Sequence, residues 1–447
     1  MNESDAERLA TVLEKNNYRK TKEIKEANLV ALVSCSVRQM AIDRVYGLIR
    51  NIKKENKKTK IIVTGCLPEK DKKKLAKEAN LVFPIKDLPR LTHKILELNN
   101  QKLKNDCDYL KIKPNYSTFP IAHVPIMTGC NNFCTYCVVP YTRGPEVSRP
   151  ANEILREVSE LIKKDYKMIV LLGQNVNSYK SQNSNSKFQI KPKTQIPNSK
   201  FENNSLSFGK NSGETNFPEL LRMINGLPGN FWLTFLSSHP KDFSNELIKA
   251  MTQCNKLMSY LHLPVQAGDD EVLHHMNRHY TASHYKNLIS TIRDKFMKVG
   301  NSPITISTDI IVGFPGETKK QFANTAKLMR EVKFDMAYLA RYSPRPGTAA
   351  WKLPNNVSAQ EKKKRWQTLN SILKKTGLEN NKKYLNKITE VLILKQKEHY
   401  FLGQSKSFKN IKITVDQLSG TTNIIIGQFV KVKIENVTAW GLEGEIV

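Results

Sequence analysis

The first hundred residues alternate between apolar runs and polar stretches with helical spacing. The runs at 27–34 (ANLVALVS) and 60–65 (KIIVTG) are typical of buried parallel strands, and a helix is predicted over 5–15 with Ser4 and Asp5 as caps. We therefore predict a small parallel α/β domain over residues 1–118. Cys35 and Cys66 directly follow the two strands, at the sheet edge where open parallel sheets bind ligands.

The middle of the chain, residues 119–380, repeats a strand-then-helix rhythm. Strands are predicted near 123–129, 168–174, 231–237, 257–265, 304–314 and 335–343, with helices such as 151–165 between them. Six such units indicate an α/β fold built on an incomplete (β/α)6 barrel. Residues 180–215 are rich in Ser, Asn and Lys without apolar periodicity, which favours a flexible insertion.

The pattern changes again in residues 381–447, where short segments alternate apolar and polar positions between turns. Five such segments predict a small C-terminal β-barrel of the oligonucleotide-binding type.

Charge and cysteine content narrow the chemistry. Lys and Arg number 71 against 41 Asp and Glu, a formal net charge of +30, which favours a polyanionic partner such as nucleic acid or reflects a lysine-rich background. The seven cysteines come with no signal peptide and no apolar run of membrane-spanning length. We expect a cytoplasmic protein that uses its thiols for metal or redox chemistry.

Three cysteines share one short segment, GCNNFCTYC at 129–137, with C-x3-C-x2-C spacing over Cys130, Cys134 and Cys137. Three thiolates on one loop hold three irons of a cubane and leave the fourth iron open. Zinc is the alternative, but it normally needs a fourth ligand. His123 is the nearest candidate, and we interpret it as a barrel residue.

This segment, with Tyr136 before the last cysteine, resembles the radical S-adenosylmethionine superfamily. The chain is further similar to its methylthiotransferases through six segments: GCNNFCTYCVVPYTRGPEVSRP (129–150), LLGQNVNSY (171–179), SSHPKDF (237–243), YLHLPVQAGDDEVL (260–273), STDIIVGFPGET (307–318) and YSPRPGTAA (342–350). The resemblance implies a 4Fe–4S cluster on Cys130, Cys134 and Cys137. It implies that S-adenosylmethionine binds the open iron, and that the C-terminal barrel is a TRAM-like RNA-binding domain. Lys395, Lys406, Lys409 and Lys412 on this barrel are then expected to contact RNA phosphate.

The family also implies a second 4Fe–4S cluster held by three N-terminal cysteines. Cys35 and Cys66 match two of them, whereas the third belongs to a Gly-Cys-Gln-Met-Asn segment inside which this sequence begins. The ligand set is therefore incomplete as given, and we expect the true start to lie upstream. Cys107 and Cys254 match no family ligand.

Further cofactor contacts are implied by position in these motifs. Gly173, Gln174 and Asn175 would face the methionine amino group, Gln266 would reach the ribose, and Val312 and Gly313 would approach the adenine, although both glycines also suit ordinary turns. Two arginines flank the cysteine segment, and they bind substrate phosphate or pair with nearby acids: Arg143 with Glu146, and Arg149 with Glu153. No general acid or base is identified.

The resemblance implies methylthiolation of tRNA, in which C–H at the 2-position of isopentenyladenosine beside the anticodon becomes C–SCH3. Sister activities on threonylcarbamoyladenosine or a ribosomal protein are alternatives. A non-catalytic RNA-binding protein and a zinc-stabilised RNA-binding module are others. The expected partners are a tRNA anticodon stem-loop, an electron donor and a sulfur source, with the enzyme itself a monomer.

Overall fold

The computed structural model describes residues 1–35, 39–91, 109–182, 214–300, 303–414 and 424–447. Its N-terminal part is a parallel sheet in the order β1-β2-β3. The elements are α1 Asn2–Lys15, β1 Leu29–Cys35, α2 Gln39–Glu55, β2 Lys60–Cys66, α3 Glu69–Leu75 and β3 Leu81–Val82, with short 3-10 helices at Ile24–Glu26, Ile85–Arg90 and Tyr109–Lys111. The register places Cys35 opposite Cys66, so both predicted strands end at the same sheet edge.

The helix α1 corrects the predicted capping. It begins at Asn2 with Met1 in the cap position, so Ser4 and Asp5 lie inside the helix and not before it. Both side chains are completely buried. A buried carboxylate is stable only when it is paired, and Asp5 does have such a partner, described below.

The central part supplies six parallel strands. The elements are β4 Ile121–Pro125, β5 Met127–Thr128, α4 Val139–Arg143, β6 Val147–Ser148, α5 Ala151–Lys163, β7 Met168–Leu172, β8 Lys180–Gln182, β9 Glu214–Asn216, α6 Phe217–Asn225, β10 Trp232–Phe235, α7 Asn245–Gln253, β11 Tyr260–His262, α8 Asp270–His275, α9 Ala282–Lys298, β12 Thr305–Val312, α10 Lys319–Val332, β13 Met336–Arg341 and α11 Ala359–Lys382, with 3-10 helices at Val176–Ser178, Pro240–Asp242 and Ala349–Lys352.

These strands form the predicted incomplete barrel. β4, β7 and β10 pair in one group and β11, β12 and β13 in another, and a parallel bridge between Leu233 and Leu257 joins the two groups. Among the described strands, β4 does not pair with β13, so the barrel stays open there. Side chains along β7 point alternately to its two faces, and Ile169 and Leu171 pack in the hydrophobic cluster that the helices cover.

The insertion predicted at 180–215 has ordered ends. β8 and β9 pair antiparallel, from Lys180 opposite Asn216 to Gln182 opposite Glu214. The rest of the predicted insertion lies outside the described residues.

The C-terminal part is a closed barrel in the order β14-β15-β16-β18-β17, as predicted. Its strands are β14 Ile388–Gln396, β15 Tyr400–Ser405, β16 Asn410–Thr414, β17 Phe429–Val437 and β18 Leu442–Ile446. It packs on the beginnings of the central strands, with Phe408 stacked on Tyr260 at 4.0 Å between ring centroids and Phe429 4.8 Å from Trp232. Within the described ranges, none of the helices is both long enough and apolar enough to cross a membrane.

Candidate active site

The cysteine loop lies between β5 and α4 and is held from several sides. Gly129 has φ +79, and a Cβ on it would lie 1.8 Å from the Pro145 carbonyl oxygen, so only glycine fits there. The side-chain amide of Asn277 donates to the carbonyls of Asn132 and Phe133, each at 3.1 Å. The Thr135 N–H donates to the Met276 carbonyl at 3.1 Å. The segment after α8 therefore clamps the loop.

Each sulfur of the triplet accepts a hydrogen bond from nitrogen. Asn132 Nδ2 donates to Cys130 at 3.5 Å, Arg278 to Cys134 at 3.6 Å and the Val139 N–H to Cys137 at 3.5 Å. Hydrogen bonds to sulfur are one of the means by which proteins tune iron–sulfur clusters. The donor set therefore fits a thiolate-bound cluster.

Burial disfavours the thiolate form of two of the triplet cysteines, Cys130 and Cys137. It raises the pKa of Cys137 to about 12 and also raises the pKa of Cys130. Thiols with such pKa values stay protonated near neutral pH unless a positive centre stabilises the thiolate, as a metal does.

The arrangement does not suit a single metal ion. Among the described residues, no three His, Cys, Asp or Glu side chains lie close enough to hold one ion together. A cubane does not need such convergence, since each thiolate binds a different iron, whereas zinc needs four ligands about 2.0–2.3 Å from one point. His123, the candidate fourth zinc ligand, has its Nε2 3.0 Å from Glu3 Oε2.

Cys66, one of the two N-terminal cysteines, contacts the central barrel through Arg143, the last residue of α4. Its Nε donates to Cys66 Sγ at 2.9 Å, and its terminal nitrogens donate to the Asp5 carboxylate. Tyr109 also donates to Asp5, and Arg143 and Asp5 are both buried. A guanidinium six residues beyond Cys137 thus contacts a sulfur of the other cysteine group.

This network corrects the predicted arginine pairs. Neither arginine pairs with the acid that we expected for it. Arg149 pairs with Glu157 at 2.6 Å and donates to the Pro125 carbonyl. Both arginines are buried, so neither is available to a substrate phosphate. The spacing along the chain revealed neither partner: Asp5 is 138 residues from Arg143, and Glu157 lies one position beyond the second turn of helix from Arg149.

A second connection runs through the loop after β13. Arg345 is buried, and burial lowers its pKa while the charges of Asp71 and Cys35 oppose that shift. The Ala350 N–H in the same loop donates to the Thr135 carbonyl at 2.8 Å. Residues 342–350 therefore contact the triplet loop and approach the N-terminal cysteines.

Two buried side-chain oxygens stand out in the turn of Gly173, Gln174 and Asn175, which is predicted to face the methionine amino group of the cofactor. Gln174 Oε1 and Asn175 Oδ1 are buried and have no hydrogen-bond partner among the described residues. Buried orphan acceptors of this kind require an explanation, and a bound ligand with amino groups supplies one. Gly173 has a packing reason as well, because a Cβ there would lie 2.6 Å from Met127 Cγ.

Three residues that sequence reasoning missed form a series of contacts that ends at the cluster loop. The ring of His239 contacts that of Tyr280 at 5.8 Å, and Arg278 donates to the Tyr280 hydroxyl as well as to Cys134. Burial, with the positive charges of Arg278 and Lys241, lowers the pKa of His239 to about 2, so it is neutral. SSHPKDF contains His239, yet no spacing in the sequence pairs it with Arg278.

The remaining predicted contacts lie at strand ends. Gln266 is buried with φ +69, and its backbone bonds to Asp309 and Ile311 extend the pairing with β12. Val312 ends β12, and its carbonyl accepts from the Tyr342 N–H. The Gly313 N–H donates to Glu317 at 2.6 Å, and a Cβ on Gly313 would lie 2.3 Å from Lys362.

The aromatic residue before the last cysteine of the triplet is largely enclosed. Tyr136 packs with Met276, Tyr280 and Phe314, and burial raises its pKa well above the usual value. Its place beside the triplet agrees with a position next to the cofactor. Contact of Tyr136, Gln266, Val312 and Gly313 with S-adenosylmethionine remains a prediction.

Comparison with known proteins relates the whole chain to one group. Residues 124–329 match the radical SAM superfamily, and residues 1–84 match the uncharacterized protein family UPF0004. The tRNA-2-methylthio-N(6)-dimethylallyladenosine synthase of Clostridium botulinum is 37% identical over 100% of this chain and 94% of its own length. The synthase of the same name from Acetivibrio thermocellus is 37% identical over 100% of this chain and 89% of its own length.

A solved radical S-adenosylmethionine methyltransferase, TsrM from Kitasatospora setae, has a TM-score of 0.49 and 12% identity. The match covers 77% of this chain and 66% of that one. This similarity is too weak to add to the family assignment.

Proposed function

Because this chain belongs to the tRNA-2-methylthio-N(6)-dimethylallyladenosine synthase family, we propose that it methylthiolates isopentenyladenosine beside the anticodon of tRNA. The observation that supports this most directly is that two cysteine groups are joined through Arg143, which contacts Cys66 and follows the triplet on α4. An enzyme that both activates a C–H bond and inserts sulfur needs two such centres close to one substrate atom.

The cofactors follow from the family. When bound, the triplet cluster and S-adenosylmethionine supply the radical that abstracts hydrogen, and a second S-adenosylmethionine supplies the methyl group. The second 4Fe–4S cluster, for which Cys35 and Cys66 are candidate ligands, supplies the route for sulfur.

The protein's own residues position and seal these groups. Cys130, Cys134 and Cys137 are the proposed ligands of the radical cluster, and Asn132, Arg278 and the Val139 N–H donate to their sulfurs. Gln174 and Asn175 present buried acceptors for the amino group of the cofactor. His239 lies beside Tyr280 and is neutral, so it adds no positive charge to this part of the proposed cofactor site.

The C-terminal barrel is the proposed support for the tRNA stem, with a change in the residues involved. We expected its lysines to reach phosphate, but Lys409 is buried in an ion pair with Asp335 at 2.8 Å, and Lys406 donates to the Asn255 carbonyl at 2.6 Å. Lys395 and Lys412 remain exposed. A monomer, an electron donor and a cytoplasmic location remain predictions.

The triplet can be tested by substitution. In anaerobically reconstituted protein, replacing Cys130, Cys134 and Cys137 together with Ala should abolish formation of 5′-deoxyadenosine, because no thiolate remains to hold the cluster. Cys254→Ala is the matched control, since Cys254 is also a buried thiol. Undiminished cleavage in the triple variant would overturn the assignment.

The substrate can be tested separately by mass spectrometry of tRNA nucleosides from a deletion strain with and without this gene. Return of the 2-methylthio derivative of isopentenyladenosine is expected. Return of a methylthiolated threonylcarbamoyladenosine instead would show the sister activity.

A further inference from the structure

Exposed aromatic side chains collect around the triplet loop. Among the described residues six aromatic side chains are largely exposed, and three of these lie in or next to this loop: Phe133 at 51%, Tyr141 at 57% and Trp351 at 46%. Exposing such large apolar groups is unfavourable unless a partner covers them, and a cluster of them marks a binding surface.

Trp351 is close to both of the segments that carry the cysteine groups. It follows Ala350, whose N–H donates to Thr135 inside the triplet loop at 2.8 Å. On its other side, Lys70 lies 5.7 Å from the centre of the indole ring, and Lys70 is four residues beyond Cys66. A flat group stacked on Trp351 would therefore lie near the segment after Cys66 and the segment that carries the triplet.

Phe133 and Tyr141 form a second aromatic pair on the same loop. Phe133 stands between Cys130 and Cys134 in a left-handed conformation with φ +46, and its ring meets that of Tyr141 edge to face at 6.0 Å. The Asn277 amide donates to the Phe133 carbonyl, so the backbone that carries the exposed ring is held in place.

The charge around Trp351 indicates what covers it. Lys70, Lys73 and Lys74 on α3 and Lys352 beside the tryptophan are all exposed. Aromatic faces combined with lysines are the recognition chemistry of single-stranded RNA, whose unstacked bases stack on aromatic rings while its phosphates meet cations. An acidic protein would match the lysines but would not need a flat, fixed ring.

We propose that Trp351 with Lys70, together with the Phe133–Tyr141 pair, forms a stacking platform for anticodon-loop bases that flank the target adenosine. The proposal rests on the proposed function and adds the residues that hold the substrate loop open. Splaying the neighbouring bases onto fixed rings would present one adenine to both cysteine groups.

The test is binding of a synthetic anticodon stem-loop that carries isopentenyladenosine to the full-length, cluster-loaded protein. Trp351→Ala should weaken binding by about tenfold or more, which is the effect of losing one stacked base. Trp351→Phe should recover most of the affinity, because the ring remains. Phe119→Ala is the control, since Phe119 is similarly exposed, at 42%, but precedes β4, whereas the triplet loop follows β5.

Stacking is separated from structural support by a double-mutant cycle with stem-loops that lack one base at a time beside the target. If Trp351 stacks a base, removing that base should weaken binding to the unsubstituted protein but cause no further loss of affinity in Trp351→Ala. Phe119→Ala should show no such coupling. Unchanged binding by Trp351→Ala, or weakened binding without coupling to any base, would overturn the proposal.

Two further readouts distinguish other roles. Cleavage of S-adenosylmethionine without RNA should be unchanged in Trp351→Ala with a chemical reductant. Slower cleavage only with a protein reductant, together with normal stem-loop binding, would show that this surface receives the electron donor and would overturn the proposal. Because binding is measured directly, the result stands even if no methylthiolated nucleoside forms.

Discussion

The two cysteine groups of this protein are assembled in opposite ways. Cys130, Cys134 and Cys137 lie within eight residues on one loop, so their proximity follows from chain spacing. Cys35 and Cys66 are thirty-one residues apart and become neighbours only because β1 and β2 pair in parallel with those residues in register. The first group is a local feature of the sequence, and the second depends on the fold.

The difference extends to what surrounds the sulfurs. All three triplet sulfurs accept hydrogen bonds from the central part of the chain, two of them from residues within two positions. Cys66 instead accepts from Arg143, which belongs to the other part of the protein. The N-terminal site therefore depends on the central barrel for an electrostatic partner, whereas the triplet does not depend on the N-terminal sheet in the same way.

The largest expected effect separates the two groups chemically. Replacing Cys35 and Cys66 together with Ser should reduce formation of the methylthio nucleoside to background, because the proposed second cluster would lose both of these candidate ligands. Cleavage of S-adenosylmethionine should stay within about twofold of the unsubstituted protein, since the three triplet sulfurs take their hydrogen bonds from the central part of the chain. Both products are measured in one reaction by mass spectrometry.

Serine is chosen because it keeps an acceptor for Arg143 and so limits damage to the buried network. Methylthiolation at the unsubstituted level in this double variant would mean that the strand-end cysteines do not serve sulfur insertion. Loss of cleavage as well would mean that the two groups form one interdependent site.

A smaller effect is expected from the link between the groups. Arg143→Lys keeps a positive charge but cannot donate to both Cys66 and Asp5 as the guanidinium does, so the free energy of unfolding should fall by about 2 kcal/mol. The ratio of methylthio nucleoside to 5′-deoxyadenosine should also fall, because Cys66 loses its partner. Urea unfolding and product analysis measure the two effects.

Arg149→Lys is the matched control for this variant. Arg149 is also buried and paired with a carboxylate, but it contacts no cysteine. It should lose comparable stability while the product ratio stays unchanged. An equal fall of the ratio in both variants would show that Arg143 acts only through stability.

The difference between local spacing and contacts made by the fold also explains which features could be predicted from the sequence. The six central strands and the five-stranded C-terminal barrel were predicted near their observed positions, because apolar periodicity records which face of a strand is buried. The triplet was predicted from its spacing alone. Both kinds of signal are local, and they needed no knowledge of which elements meet.

Several residues that sequence reasoning misassigned depend on contacts between distant segments. Asp5 looked like a helix cap because polar residues near a helix start usually are caps, yet it is buried against Arg143. Lys409 looked like a phosphate ligand, yet it pairs with Asp335, 74 residues away. A charged residue shows its type in the sequence, but its partner appears only in the fold.

The smallest expected effect tests whether the triplet is as local as its spacing suggests. Asn277 lies about 140 residues after the loop and donates to the carbonyls of Asn132 and Phe133. Asn277→Asp would replace this donor with an acceptor while tolerating the left-handed φ of +56, so the loss should be about 1–3 kcal/mol from two hydrogen bonds and added repulsion. The loop would then loosen, and iron should pass to an external chelator several-fold faster.

Asn17→Asp is the control, because Asn17 is exposed and also has a left-handed φ, +66, but lies in the turn after α1. Equal iron release from Asn277→Asp and the unsubstituted protein would mean that the C-x3-C-x2-C spacing alone holds the cluster. Faster release from the Asn277 variant only would show that even the local cysteine group relies on the barrel to keep its shape.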